Sequence, residues 1–251
     1  MSEDIKESFE KTRIAGSIAA AALDEVAKII KPGITTSEID TLCYEFMNDH
    51  GAYSAPLFYR GFPKSCCTST NHVVCHGIPS NKILKEGDIL NVDVTAIKNN
   101  WHGDTSRMFE VGKVSIKAKK LIKTTFESMM KAIKIIKEDI QLGDIGSMIQ
   151  KHVEANGCSV VQDFCGHGIG EKFHKEPNIL HYGKEGTGEK IKAGMIFTIE
   201  PMINLGNYET KILNDGWTAV TKDKSLSAQF EHTVGVTKEG YEIFTQSKNF
   251  S

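Results

Sequence analysis

Two aspartates give the first sign of chemistry. Between Gly87 and Gly112, Leu90, Val92, Val94 and Ala96 alternate as in a β-strand, and Asn99-Asn100 supplies the two positive-φ residues that a tight hairpin turn needs. Paired residues in that register sum to 199, so Asp93 faces Ser106 and Asp104 faces Thr95. The aspartates then share a face as diagonal neighbours, with Cα atoms roughly 7–8 Å apart. Their carboxylates converge on any ion lying between them, and a one-residue slip in the turn would part them. Two ionised carboxylates on an otherwise apolar strand face need cations or protons. The competing reading is two exposed aspartates on a wet face.

Four further segments carry imidazoles or carboxylates. Asn71-His72-Val73-Val74-Cys75-His76-Gly77-Ile78-Pro79 ends an apolar strand in histidine and glycine. Residues 165–174 place His167 and His174 in a glycine-rich loop. Phe197-Thr198-Ile199-Glu200-Pro201 ends an apolar strand in a carboxylate, and Gln229-Phe230-Glu231-His232-Thr233 puts another within a strand. Glycine beside histidine permits close approach of backbone to a ligand. Singly, each segment is weak: a lone histidine after a strand is more often structural, and Glu200 or Glu231 alone reads as a strand-end or edge-strand charge. Their order and company are specific.

An internal repeat organises the elements that would position these groups. Lys28-Ile29-Ile30-Lys31 recurs as Lys134-Ile135-Ile136-Lys137, and at the same offset of 106 Ile34 matches Ile140, Ile39 matches Ile145 and Gly51 matches Gly157. Residues 4–30 read as an amphipathic helix with Ile14, Ile18, Ala21, Ala22, Val26 and Ile29 on one stripe, stopped by Pro32-Gly33. Thr35-Thr36-Ser37-Glu38 resembles a capping box opening a second helix that ends at Gly51. Helices over 116–138 and 145–156 repeat that order, the latter ending at Gly157. Strand-rich sequence follows each pair. The expected fold class is therefore α+β, with similar halves at 1–112 and 113–251 meeting about a pseudo-twofold axis. No Pro/Gly/Ser-rich linker parts them, so one domain over 1–251 is expected, with a site at the junction of its halves.

Composition excludes other classes. A chain of 251 residues buries a substantial core, and its ordinary charged and apolar fractions exclude disorder. A net charge of −2 demands neither nucleic acid nor membrane as a partner. The six cysteines form no C-x-x-C pair and read as small, buried, reduced thiols. The amino terminus is charged at once, with no apolar stretch of a secretory signal, and no segment reaches the ~20 apolar residues of a membrane span. The expected location is the cytoplasm.

Taken together, Gly61-Phe62-Pro63-Lys64-Ser65, His76-Gly77-Ile78-Pro79, Asn91-Val92-Asp93, Gly103-Asp104-Thr105-Ser106, Cys165-Gly166-His167-Gly168-Ile169-Gly170, Thr198-Ile199-Glu200-Pro201 and Gln229-Phe230-Glu231-His232-Thr233 resemble the type I methionine aminopeptidases. These belong to the creatinase-like, pita-bread metallohydrolases, and the likeness covers almost the whole chain. The resemblance implies an antiparallel sheet flanked by two helix pairs. It implies metal ligands at Asp93, Asp104, His167, Glu200 and Glu231, with Asp104 and Glu231 bridging two divalent ions, His167 and Glu200 completing one site and Asp93 chelating the other. Four carboxylates balance two divalent ions, and a donor set of oxygens plus one imidazole suits Mn, Fe or Co, with Zn also admissible.

The implied reaction is removal of an initiator methionine when the second residue is small. Glu200 is the implied proton acceptor, His174 the donor to the scissile carbonyl, and His76 the contact to the scissile nitrogen. Tyr59, Phe62, Cys67, Phe173 and Trp217 would line an apolar methionine pocket. Two departures bear on its shape: Phe62 stands where relatives often carry tyrosine, and Pro56 where some carry cysteine. Glu200 and Glu231 lie 31 apart, which leaves no room for the insertion of type II enzymes, and the early start of the catalytic region suggests the short bacterial form. The rivals are a proline-specific aminopeptidase or prolidase, and a metal-free pita-bread binding protein.

Expected partners are N-terminal methionine peptides and nascent chains, with the enzyme a monomer. Its own Met1-Ser2 start makes it a substrate of that activity, so the mature chain should begin at Ser2. Between 113 and 137 stand eight lysines (Lys113, Lys117, Lys119, Lys120, Lys123, Lys131, Lys134 and Lys137) against one acid, Glu127. Ile122, Phe126, Met129, Met130, Ile133 and Ile136 form the apolar stripe beneath them. This face is either a solvated surface or a contact with ribosomal RNA phosphates near the nascent-chain exit.

Overall fold

The computed structural model describes residues 2–247 and 249, so Met1, the expected processing site, lies outside the described residues. Helices α1 (Glu3–Ile29) and α2 (Thr36–Asp49) form one pair; α3 (Ile116–Lys134) and α4 (Leu142–Ala155) form the other. Between the pairs runs an antiparallel sheet in the order Tyr53–Ser54, Ile89–Lys98, Trp101–Glu110, Glu231–Val236, Ile196–Ile199, Gly166–Gly168, Lys175–Ile179. Cys67–Thr70 adds to Ile89–Lys98, and Tyr241–Ile243 adds to Glu231–Val236. This is the expected α+β architecture.

The two pairs are built alike. Thr35 accepts from the Glu38 N–H while the Glu38 carboxylate accepts from the Thr35 N–H; 106 residues on, the Asp144 carboxylate accepts from the Gln141 N–H at 2.8 Å. Each second helix ends on a left-handed glycine, Gly51 (φ 60°) or Gly157 (φ 74°). The Ala52 N–H then reaches the Met47 carbonyl, and the Cys158 N–H the Val153 carbonyl. Such endings satisfy carbonyls that the last helical turn leaves open.

Packing shifts one expected face. Of the expected stripe, Ala22 and Val26 are buried, Ile18 and Ile29 are half-buried against the same core and Ile14 is exposed, while Thr12, Ala15, Gly16, Ala19 and Leu23 join the buried face. Small residues are needed there because α1 crosses the long hairpin at contact distance. A Cβ built on Gly103 would lie 2.2 Å from the Gly16 nitrogen. A buried ion pair, Arg107 to Asp24 at 2.9 Å, fastens the same helix to the same strand. Helix α3 also differs, ending at Lys134 rather than 138, where the Ile135 and Ile136 N–H groups bond three residues back and Asp139 turns left-handed. Helix α4 starts at Leu142, three residues earlier than expected, directly after its capping residue Gln141. All eight lysines of the 113–137 segment are exposed.

Candidate active site

The long hairpin turns at Asn99-Asn100, both with positive φ (52° and 63°), in the expected register. Asp93 faces Ser106, Thr95 faces Asp104, and Ser106 in turn faces Glu231 on the next strand. Side chains alternate along a strand, so Asp93, Asp104 and Glu231 emerge on one face. That face is polar rather than apolar: Asn91, Thr95 and Ser106 are its buried companions. It is also not wet, since Asp104 and Glu231 are buried and Asp93 half-buried. The strand is covered on both sides because Val92, Val94 and Ala96 pack beneath α1 and α2 while the carboxylates face a cavity.

His167 and Glu200 complete the cluster from the carboxy-terminal half. His167 sits in a short strand, Gly166–Gly168, rather than in the expected loop; its N–H donates to the Thr198 hydroxyl at 3.0 Å. That hydroxyl donates onward to Glu200 Oε1 at 2.7 Å. His167 Nε2 lies 3.6 Å from both Asp104 Oδ2 and Glu200 Oε1. Donor atoms of Asp104, His167 and Glu231 lie within 4.8 Å of one another. Thr95 Oγ1 donates to Asp104 Oδ1 at 2.6 Å, and the Glu200 N–H donates to His181 Nε2 at 3.1 Å.

Electrostatics follow from this crowding. Burial first, then the neighbouring Asp104, Glu200 and Asp93 carboxylates, push Asp93 and Glu231 well above the usual carboxylate range. Burial raises Glu200 to about 7. For His167, burial opposes protonation, but Asp104 and Glu200 outweigh it and raise its pKa. His174 is open to the cavity, yet surrounding protein and then His167 hold it down to about 4. Burial also lowers His76.

All twelve site residues expected from the sequence line one cavity of about 640 Å³. Phe62 and Trp217 meet edge to face at 5.2 Å, Tyr59 and Phe173 at 5.0 Å, and His174 Nδ1 lies 3.0 Å from the Tyr59 hydroxyl. His76 holds φ 55°, an uncommon conformation for histidine, and packs on Phe164 and Trp217. Cys67, Cys75 and Cys165 line the cavity as free thiols, and Cys165 is half-buried rather than buried.

Sequence reasoning missed Thr95, Thr198 and His181. The two threonines had a signal, since each stands two residues from an acid on the same strand face. His181 had none: it is 19 residues from Glu200 with no pattern joining them.

A family model for metallopeptidase family M24 matches residues 10–238. The chain belongs to metallopeptidase family M24. Within M24 it is 56% identical over 243 residues to a methionine aminopeptidase of Rickettsia prowazekii, covering 96% of this chain and 94% of that one. A solved methionine aminopeptidase from Rickettsia prowazekii superposes with a TM-score of 0.95 over 96% of this chain and 98% of its own. One from Thermotoga maritima does so with a TM-score of 0.95 at 41% identity, covering 96% and 97%. The prolidase of Pyrococcus furiosus shares the fold alone, at 22% identity and a TM-score of 0.77, and the chain spans 65% of it.

M24 membership implies use of a divalent metal, and the residues present fit one. Four crowded carboxylates repel one another, and one imidazole cannot neutralise them. An oxygen-rich donor set with a single nitrogen is the chemistry of a hard to borderline cation. Among the described residues no helix is long and apolar enough to cross a membrane.

Proposed function

We propose that this protein removes the N-terminal methionine from nascent proteins and peptides whose second residue is small. The observation that carries this reading is a cluster of four carboxylates and a histidine, buried but for the half-buried Asp93, opening into an aromatic-lined cavity. Asp93, Asp104, His167, Glu200 and Glu231 would hold two ions, with Asp104 and Glu231 shared between them; the metal would be Co, Fe, Mn or Zn. When bound, the ions would supply an activated water and positive charge opposite the developing oxyanion.

The chain's own groups would do the rest. Glu200, with a pKa near neutrality before metal binds, accepts the proton of the attacking water. Neutral His174 accepts from the Tyr59 hydroxyl at Nδ1, which leaves Nε2–H to donate to the scissile carbonyl. His76, kept neutral by burial, contacts the amide nitrogen. Phe62, Cys67, Phe173, Trp217 and the Tyr59 ring receive the methionine side chain, and a thioether packs well against aromatic edges. Ligands come from both halves of one continuous sheet, which supports reading 1–251 as a single catalytic domain acting as a monomer.

The deciding assay is cleavage of Met-Ala-Ser against an X-Pro peptide after metal reconstitution. Rapid release of methionine from the first alone is expected; cleavage of X-Pro instead would install the prolidase reading, and no cleavage with any metal the binding-protein reading. Rapid cleavage of Met-Arg or Met-Phe peptides would overturn the small-residue rule. We propose a cytoplasmic location, with the lysine face of α3 either a solvated surface or a contact with ribosomal RNA phosphates. Lys119 and Lys123 are partly engaged by Glu110 and Glu127, and Lys120 by the Asn156 carbonyl, but all remain exposed. Reversing Lys117, Lys119, Lys120 and Lys123 to glutamate should reduce low-salt ribosome co-sedimentation while sparing peptide cleavage; unchanged sedimentation would refute the contact.

A further inference from the structure

Arg60 stands at the mouth of the cavity, and nothing in the proposed chemistry uses it. It lines the same cavity as the carboxylates, and its guanidinium carbon lies 5.3 Å from the centre of the Tyr59 ring. Tyr59 contacts His174, whose ring centre is 4.2 Å from that of His167. The path outward from the carboxylates therefore runs His167, His174, Tyr59, Arg60.

The backbone there is held in an unusual state. Phe58 and Arg60 both have positive φ, 67° and 48°, within a tight loop closed by the Phe58 N–H on the Phe62 carbonyl at 2.8 Å. Non-glycine residues adopt this region uncommonly, and such outliers cluster at ligand clamps and active sites. The arginines that form ion pairs among the described residues are Arg13 and Arg107; Arg60 forms none. The other charged residues on the rim are Asp163, Lys175 and Glu176. Asp163 accepts from the Thr210 hydroxyl, and Lys175 Nζ lies beside Gly170, 3.4 Å from where a Cβ there would stand. Arg60 is thus the rim cation that lies alongside the Tyr59–His174 pair.

A cavity of about 640 Å³ falls in the range that buries drug-sized ligands, so it holds more of a peptide than one methionine and a small neighbour. With methionine against the aromatics and the scissile bond beside His174, the Tyr59 hydroxyl stands at the junction between the two, and Arg60 lies beside that tyrosine, 5.3 Å from its ring centre. We propose that Arg60 is a specificity-determining residue that reads the third and fourth residues of the substrate and favours carboxylate side chains there over ammonium ones. This rests on the methionine-removing activity proposed above.

The test uses full-length, metal-reconstituted protein and C-terminally amidated Met-Ala-Asp-Ser, Met-Ala-Gln-Ser and Met-Ala-Lys-Ser. Wild type should prefer the aspartate peptide over the lysine peptide by about 2–5-fold in kcat/KM, carried by KM, as an exposed charge pair allows. Arg60→Gln should level the series, Arg60→Glu should invert it, and high salt should flatten it in every case. Equal rates on the charged peptides by wild type, or an aspartate preference that survives Arg60→Glu, would overturn the assignment. Failure of wild type on the glutamine peptide would overturn the underlying activity and the assignment together.

Discussion

The two halves of the molecule share a scaffold and differ in how they deliver the site. Each has a helix pair whose second member opens on a side-chain cap and closes on a left-handed glycine, 106 residues apart. The amino-terminal half then places two carboxylates on one uninterrupted hairpin of two 10-residue strands. The carboxy-terminal half places its three groups on or beside three short strands of 3, 4 and 6 residues. On the hairpin, the register sets the face, and a side-chain bond from Thr95 aims the Asp104 carboxylate. On the short strands, side-chain hydrogen bonds must do so: Thr198 holds both the His167 backbone and the Glu200 carboxylate, and His181 holds the Glu200 backbone.

The largest effect should come where the halves meet. Asp104→Asn or Glu231→Gln should lower kcat/KM by more than the ~100-fold that loss of a supporting residue costs, because each would remove a charge facing both ions. Wild-type turnover by a folded Asp104→Asn protein across a series of metals would break the two-ion reading.

Next come the supports of the carboxy-terminal half. Thr198→Val and His181→Ala should each cost ~10–100-fold in metal affinity or activity. His181→Gln, which keeps a hydrogen-bond acceptor, should recover most of it. Metal titration followed by calorimetry measures both, and equal behaviour of the Ala and Gln variants would mean that His181 merely fills space.

The acids of both halves sharpen the comparison through pH. In metal-free protein Glu200 titrates near 7 rather than 4.5, so between those values the native state holds a proton that the unfolded state has released. The contribution of Glu200 to stability therefore falls as pH rises through that window, as do those of Asp93 and Glu231, while His174, His181 and His232, held neutral in the fold, contribute the opposite slope below their unfolded pKa. Added divalent metal should reverse the trend, since it binds the deprotonated acids. Thermal melts of wild type and Glu200→Gln from pH 4.5 to 7.5, with chelator and with metal, test this; a chelated wild type that does not lose stability relative to Glu200→Gln as pH rises would refute it.

The smallest effect belongs to the shared scaffold. Thr35→Ala should cost ~1 kcal/mol, a fall of about 2–4 °C in Tm for a chain of this size, with kcat unchanged.

This asymmetry also decided what was legible in the sequence. The hairpin could be read to the residue, because Asn99-Asn100 fixes a register and period-two alternation then fixes the face. The caps and glycine stops of both helix pairs were legible for similar local reasons. The ligands of the other half had no such ruler, and they entered through family resemblance. On the α1 face only Ile14 was misplaced, because hydrophobicity favours it, whereas the packing also buries small residues at a crossing that sequence does not reveal. His181 stayed hidden because its role depends on a contact between segments with no common periodicity.

That crossing has a genetic consequence. Gly103 offers its bare Cα to Gly16 of α1, while its neighbour Asp104 turns into the cavity. A single methyl at Gly103 meets the Ala15–Gly16 backbone at 2.2–2.6 Å, which no side-chain rotation relieves, while one at Gly16 meets the Phe244 carbonyl oxygen at 2.5 Å. Gly103 is not part of the cavity wall, yet a collision there lifts the helix from the strand that carries Asp104. Alleles that cripple this protein at elevated temperature should therefore gather at a helix–strand seam that a map of cavity-lining residues would leave blank.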